Sequence, residues 1–263
     1  RLADAYYNRG VAKRSKGDTD GAMADCTRAL DIDPKHYKAY YIRGTLKRAA
    51  GNAQGAINDF TEAITIEPKL ALAYDARGSA KKSLGDTEGA MADYNRTLDL
   101  SPKLPQAYRS RGVLEALAHD WPNALADFRH DLEFASADED GAAYLYIWLI
   151  RIQSKETKEV DAAAQELSAA LEKRPKSGDW VSTIGRYLLG KTSEGDLFTQ
   201  ANSVPAERRK DARSQAWFYA AMKKLLAGEQ QPAAEYFRRC VALEQKTLLE
   251  YDFARAALKD LGP

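Results

Sequence analysis

Gly185-Arg186-Tyr187-Leu188-Leu189-Gly190-Lys191-Thr192 fits G-x-x-x-x-G-K-[ST], a spacing that can cradle the phosphates of a nucleotide. That chemistry needs an open loop between a strand and a helix, with backbone N–H groups turned to the phosphates. The interior Arg-Tyr-Leu-Leu reads instead as the apolar end of a helix capped by Gly190, and no strand–helix alternation surrounds it. The match is read as coincidence. His36, His119 and His130 fall in turns or at helix edges, without metal-ligand spacing and without a cysteine beside them. Cys26 and Cys240 stand near opposite ends of the chain, at small positions expected to face a core, which predicts buried thiols. Asp138 and Asp140 belong to an acidic hinge, and no nucleophile motif frames any Ser, His or Asp. The expectation is a non-enzyme with no cofactor and no metal.

Two charged residue types recur in a way that points to structure. Arranged in rows of equal length starting at Ala3, Tyr37, Ala71 and Pro105, the chain aligns Arg9, Arg43, Arg77 and Arg111 in one column. Asp25, Asp59, Asp93 and Asp127 fill another. Equal number, opposite sign and a shared period predict an internal ladder of ion pairs, within or between rows. Such pairs punish the loss of one partner more than the loss of both.

The elements that would position this ladder follow from the remaining columns. Tyr6, Tyr40, Tyr74 and Tyr108 align, as do Gly10, Gly44, Gly78 and Gly112, and Ala22, Ala56, Ala90 and Ala124. Glycine inside a helix costs about 1 kcal/mol relative to alanine, tolerable where two helices cross closely. The alanines let the partner helix approach, and Phe60, Tyr94 and Phe128 fill the space between units, with Cys26 in that slot in the first row. Gly17, Gly51 and Gly85 end the first helix of a row in left-handed caps, with His119 in the fourth. Asp18, Asn52, Asp86 and Asp120 cap the second helix, and Pro34, Pro68 and Pro102 close it, with Ser136 in the fourth row. Each row is thus a helix, a tight turn and a second helix.

This order of aromatic, Gly, Ala, aromatic and Pro within one row resembles the tetratricopeptide repeat (TPR), in its spacing as well as its residue types. It departs at the Leu column, which is Arg here, and at a second aromatic column, which is Lys13, Lys47, Lys81 and Glu115. The resemblance implies an all-α TPR solenoid, a right-handed superhelix of antiparallel helix pairs, with an irregular helical middle and a C-terminal capping helix. The expected organisation is four regular repeats over 3–138, a degenerate repeat over 142–176 closed by Pro175, and a non-repeat hairpin over 178–202. A further repeat follows over 214–246, with Trp217, Ala221, Gly228, Ala233, Phe237 and Cys240 in register, and a capping helix over 248–261. This order is also similar to the TPR lipoproteins of bacterial cell envelopes, which implies a bacterial, extracytoplasmic setting.

In the TPR fold the second, fifth, sixth, ninth and twelfth positions of each first helix form a concave binding wall. Carried onto this chain, they give Asp4, Tyr7, Asn8, Val11 and Arg14, then Lys38, Tyr41, Ile42, Thr45 and Arg48. The third and fourth rows give Leu72, Asp75, Ala76, Ser79 and Lys82, then Gln106, Arg109, Ser110, Val113 and Ala116. Aromatics beside arginine are common binding hot spots, and Arg14, Lys38, Arg48, Lys82 and Arg109 outnumber Asp4 and Asp75, so the partner is expected to be a protein or peptide of acidic character. A family mode that clamps a terminal carboxylate uses Lys and Asn where the first row has Tyr7 and Val11, which argues against binding of chaperone tails. The expected function is a non-catalytic protein- or peptide-binding scaffold. Homo-oligomerisation, or a regulatory module of a larger protein, is the alternative.

Bulk properties agree. The 263 residues hold 39 Lys plus Arg against 38 Asp plus Glu, a balance without the basic field that nucleic acid attracts. The longest apolar run, Ala142 to Ile150, falls short of the ~20 residues of a membrane span. No signal peptide is visible, and a start at Arg1 implies that an N-terminal piece has been removed or left out.

Overall fold

A computed structural model describes residues 2–135, 142–153, 157–173, 179–245 and 248–262. Among these, every regular element is a helix: α1 (Leu2–Ser15), α2 (Thr19–Ile32), α3 (Tyr37–Ala49), α4 (Ala53–Ile66), α5 (Ala71–Ser83), α6 (Thr87–Leu100), α7 (Pro105–Leu117) and α8 (Trp121–Phe134). They continue with α9 (Ala142–Gln153), α10 (Thr157–Lys173), α11 (Trp180–Leu188), α12 (Glu194–Ser203), α13 (Arg209–Leu226), α14 (Gln230–Ala242) and α15 (Leu249–Leu261), with one 3-10 turn at Ala206–Arg208. The chain divides into two compact units, residues 1–114 and 115–263. The expected hinge at Asp138–Asp140, Ser136 and the closing Pro175 lie outside the described residues.

In the first unit α1 pairs with α2, α3 with α4 and α5 with α6. Gly17, Gly51 and Gly85 turn each pair at φ 80°, 79° and 84°, where a side chain would strain the backbone. Asp18, Asn52 and Asp86 then accept from the backbone N–H of Gly21, Gly55 and Gly89, satisfying donors that a helix start leaves open. The helices touch at the glycine column: a Cβ on Gly44 would sit 2.8 Å from Phe60 Cε1, and one on Gly78 would sit 2.9 Å from Tyr94 Cε1. Ala22, Ala56, Ala90 and Phe60 have no exposed surface, and Cys26 is equally enclosed. Burial pushes the Cys26 thiol up to about 11.

The second unit starts its helix pairing with His119 in the turn before α8. His119 stands at φ 61° in place of the usual glycine and sets its ring edge-on to Trp121, 5.1 Å between centroids. Asp120 caps α8 by accepting from Asn123 N–H. Further along, Ser193 and Asp196 form a reciprocal capping box at the start of α12. Helix α13 begins at Arg209, ahead of the expected repeat boundary at Ser214, because the turn at Ala206–Arg208 feeds directly into it. Phe218, Tyr219, Phe237 and Cys240 form the enclosed centre beneath α13, α14 and α15. Burial raises the Cys240 thiol to about 11, and its Sγ lies 3.3 Å from Ser214 Oγ.

The phosphate-loop spacing is resolved by α11. Residues 185–188 are its last turn, and Gly190 caps it at φ 71°. The N–H groups of Leu189, Gly190 and Lys191 donate to the carbonyls of Gly185, Tyr187 and Arg186. Lys191 Nζ donates to Ser168 Oγ at 3.2 Å. The backbone donors that would cradle a phosphate close a helix instead.

Candidate partner-binding face

The polar columns of the first unit separate into an internal ladder and an outward wall. Asp25, Asp59 and Asp93 are buried on α2, α4 and α6. Each accepts two bonds from the arginine on its paired helix: from Arg9 at 2.8 and 2.6 Å, from Arg43 at 2.9 and 2.7 Å, and from Arg77 at 2.9 and 2.7 Å. Each also receives a lysine: Lys13 at 3.0 Å, Lys47 at 2.8 Å and Lys81 at 2.8 Å. The columns where the chain departs from the family pattern therefore act together. Arg replaces Leu and Lys replaces an aromatic because both reach one buried carboxylate.

The aromatic column joins this network. Arg9, Arg43, Arg77 and Arg111 lie over the rings of Tyr6, Tyr40, Tyr74 and Tyr108 at 5.1 to 5.7 Å. The arginines also link neighbouring repeats, since Arg77 Nη1 donates to Thr61 Oγ1 at 3.3 Å and Arg111 Nη1 to Asn95 Oδ1 at 2.8 Å. Arg9 keeps 58% of its side chain exposed, whereas Arg43 and Arg77 keep 18% and 16%. Hydrogen bonds from Arg9 and then Lys13 hold the Asp25 carboxyl down at about 2.

The first-helix positions expected to form the wall divide by depth. Asn8, Arg14, Lys38, Arg48, Leu72 and Gln106 are exposed, while Tyr7, Val11, Thr45, Asp75, Ser79, Lys82 and Arg109 are half-buried. Ile42, Ala76, Val113 and Ala116 are buried, contrary to the expectation of exposure. Ile42 and Ala76 turn into the seam between repeats, where Ile42 packs with Ala22 and Cys26, and Ala76 with Ala56 and Phe60, of the preceding repeat. Tyr41 is a related correction: it packs on Phe60, 5.9 Å between centroids, and against the groups around Ile42 and Ala76. Truncating it would open a gap between repeats.

Around Tyr41 several wall residues converge. The charges of Asp75, Arg14 and Arg48 all act on its phenol, which burial raises in pKa. Tyr94 on α6 donates from its hydroxyl to Ser79 Oγ at 3.3 Å. Asp75 is held up at about 6 by burial, with Arg48 opposing the shift. Its Oδ1 is buried and has no hydrogen-bond partner. Position within the repeat placed Asp75 on the wall, but nothing in its neighbours along the chain marked it as unpartnered. At the N-terminal end His36 caps α3 by accepting from Ala39 N–H at 3.1 Å, and its ring lies 5.0 Å from Tyr7. No group of three or more metal-ligating side chains occurs among the described residues. No helix among them is long and apolar enough to cross a membrane.

Stacked helix pairs tied by a periodic ladder define a helical-repeat protein. Tetratricopeptide-repeat family profiles match residues 3–36, 37–70 and 71–104, so these three repeats are tetratricopeptide repeats. No curated protein matches the sequence. Among solved structures, a TPR protein from Parabacteroides merdae is 20% identical over 99% of this chain and 98% of its own, with a TM-score of 0.63. Pseudomonas aeruginosa pilF is 14% identical over 97% of both chains, with a TM-score of 0.59. MamA from Desulfovibrio magneticus is 12% identical over 68% of this chain and 98% of its own, also at 0.59. At these identities the likeness concerns the fold. TPRs typically mediate protein–protein interaction, and the family is generally non-catalytic.

Proposed function

We propose that the chain is a protein- or peptide-binding scaffold whose contact surface is the first-helix wall of residues 2–114. The observation that carries this reading is the division of charge. The ladder takes Arg43, Lys47, Arg77 and Lys81 inward onto buried carboxylates. Arg14, Lys38 and Arg48 remain exposed beside half-buried Tyr7 and Tyr41, and Leu72 is 47% exposed on the same run of positions. Apolar and aromatic surface flanked by cations fits an extended peptide with acidic residues.

The test is selection of a random displayed peptide library on the purified chain, followed by binding isotherms for the enriched peptides. Arg14→Glu combined with Arg48→Glu leaves the ladder intact and should weaken binding about tenfold or more, chiefly through slower association. Equal affinity for the variant would refute the wall. Light scattering on the same samples addresses the alternative: a concentration-dependent dimer with no enriched peptide would favour self-assembly.

A further inference from the structure

Four carboxylates of the first unit invite comparison. Asp25, Asp59 and Asp93 are each met by one arginine and one lysine. Asp75, on α5 at the register place of Tyr7 and Tyr41, has a buried Oδ1 with no donor. A desolvated carboxylate without a donor is unfavourable, and folded chains rarely keep one without a use. The groups acting on it from neighbouring helices are few. Arg48 on α3 attracts it through space without a hydrogen bond. Tyr41 on α3 feels its charge but makes no hydrogen bond to it. Tyr94 on α6 gives its hydroxyl to Ser79. None supplies the missing donor, yet Asp75 remains partly open to the wall.

We propose that Asp75 is a specificity determinant of this wall, receiving a lysine or arginine side chain of a bound peptide next to an acidic residue held by Arg14 and Arg48. The proposal rests on the peptide-binding reading above. A cationic donor suits the site better than a neutral amide, because a charge-assisted bond offsets the desolvation of the carboxylate. The neighbouring arginines require the accompanying acid, since a lone cation on the peptide would meet Arg48. The resulting recognition element is a basic–acidic pair, more selective than the acidic character that the wall's net charge alone implies. Burial already disfavours the ionised carboxylate, so a bound cation and a proton compete for Asp75.

The experiment uses peptides enriched from the random library at pH 7.5, measured by fluorescence anisotropy against the whole chain and its Asp75→Asn variant. Enriched peptides should share a Lys or Arg beside an Asp or Glu, and Asp75→Asn should weaken them about tenfold to hundredfold. Replacing the peptide's lysine by norleucine, or its arginine by citrulline, should give the same loss on the unaltered protein and little further loss on the variant. That peptide-side arm does not depend on how the variant folds. Lowering the pH from 7.5 to 5 should weaken binding to the unaltered protein and leave the variant nearly unchanged. Enriched peptides without a basic position, or equal binding to the variant, would overturn the role of Asp75. The wall itself would stand if those peptides were still lost on Arg14→Glu with Arg48→Glu. Tighter binding at pH 5 would also overturn it, since protonated Asp75 would then be donating to an acid. Peptides insensitive to all three substitutions would remove both readings.

Discussion

Replacing Asp59 with Asn tests whether each rung is one coupled unit. Asp59 accepts from Arg43 at 2.9 and 2.7 Å and from Lys47 at 2.8 Å, with 4% of its side chain exposed. Asparagine keeps the volume but turns an NH2 group toward donors and leaves two cations without a counter-charge. Breaking a buried pair by removing one partner costs about 3–5 kcal/mol. Arg43 and Lys47 are 18% and 25% exposed and can partly recover water, which places the expectation near the lower bound, about 3 kcal/mol. Arg43→Met should do less harm, about 1–2 kcal/mol, because Asp59 keeps Lys47 and loses only the guanidinium bonds. The two losses should not add: with Asp59 already altered, Arg43→Met removes a stranded charge, and a coupling of at least ~1 kcal/mol is expected. Urea unfolding followed by far-UV circular dichroism reads these differences as midpoint shifts, about 1–2 M for the larger loss at a typical slope. All four tryptophans, Trp121, Trp148, Trp180 and Trp217, lie after residue 114, so their fluorescence reports the second unit separately. Losses that add within about 0.5 kcal/mol, the scatter expected of independent sites, would refute a shared network centred on the carboxylate. So would an Arg43→Met loss larger than that of Asp59→Asn.

Asp75→Asn should act in the opposite direction on stability. A carboxyl raised from 3.8 to about 6 in the folded protein favours folding below pH 4, and that contribution is lost as the pH rises through 6. The variant should therefore gain up to about 3 kcal/mol at pH 7.5 and little at pH 4, and a gain independent of pH would contradict the burial argument. Gly44→Ala forces a Cβ to 2.8 Å from the Phe60 ring, and thermal melts should show a loss of about 1–3 kcal/mol. His119→Gly relieves a left-handed backbone at φ 61° at the expense of the Trp121 contact, and should raise stability by about 0.5–1 kcal/mol in tryptophan-detected unfolding. Cys26 and Cys240, fully buried with thiols near 11, should react with a disulfide reagent at pH 8 only after denaturant is added; fast labelling of either in the folded chain would show that its burial is incomplete.

Periodicity made the repeats legible because each column answers to a local rule that recurs in every row. Left-handed turns need Gly17, Gly51 and Gly85, and helix starts need Asp18, Asn52 and Asp86. Close crossings need Gly44 against Phe60 and Gly78 against Tyr94, and all of these appear where the rows place them. The Arg–Asp pairing was readable for the same reason, since both columns share one period. The lysines of the ladder were not, because Lys13, Lys47 and Lys81 show along the chain only as a departure from the family's second aromatic column, until the paired helix brings a carboxylate within 3.0 Å. Depth on the wall was likewise decided only by stacking. Ile42 and Ala76 sit at positions equivalent to exposed Asn8, yet the preceding repeat covers them.

Residue order alone established the helix pairs, their caps and the identity of the charges. Tertiary structure alone decided which of those charges are satisfied. Asp59 and Asp75 are the same residue type on neighbouring helices, yet Asp59 faces Arg43 and Lys47 of its paired helix, whereas no helix turns a donor onto Asp75 Oδ1.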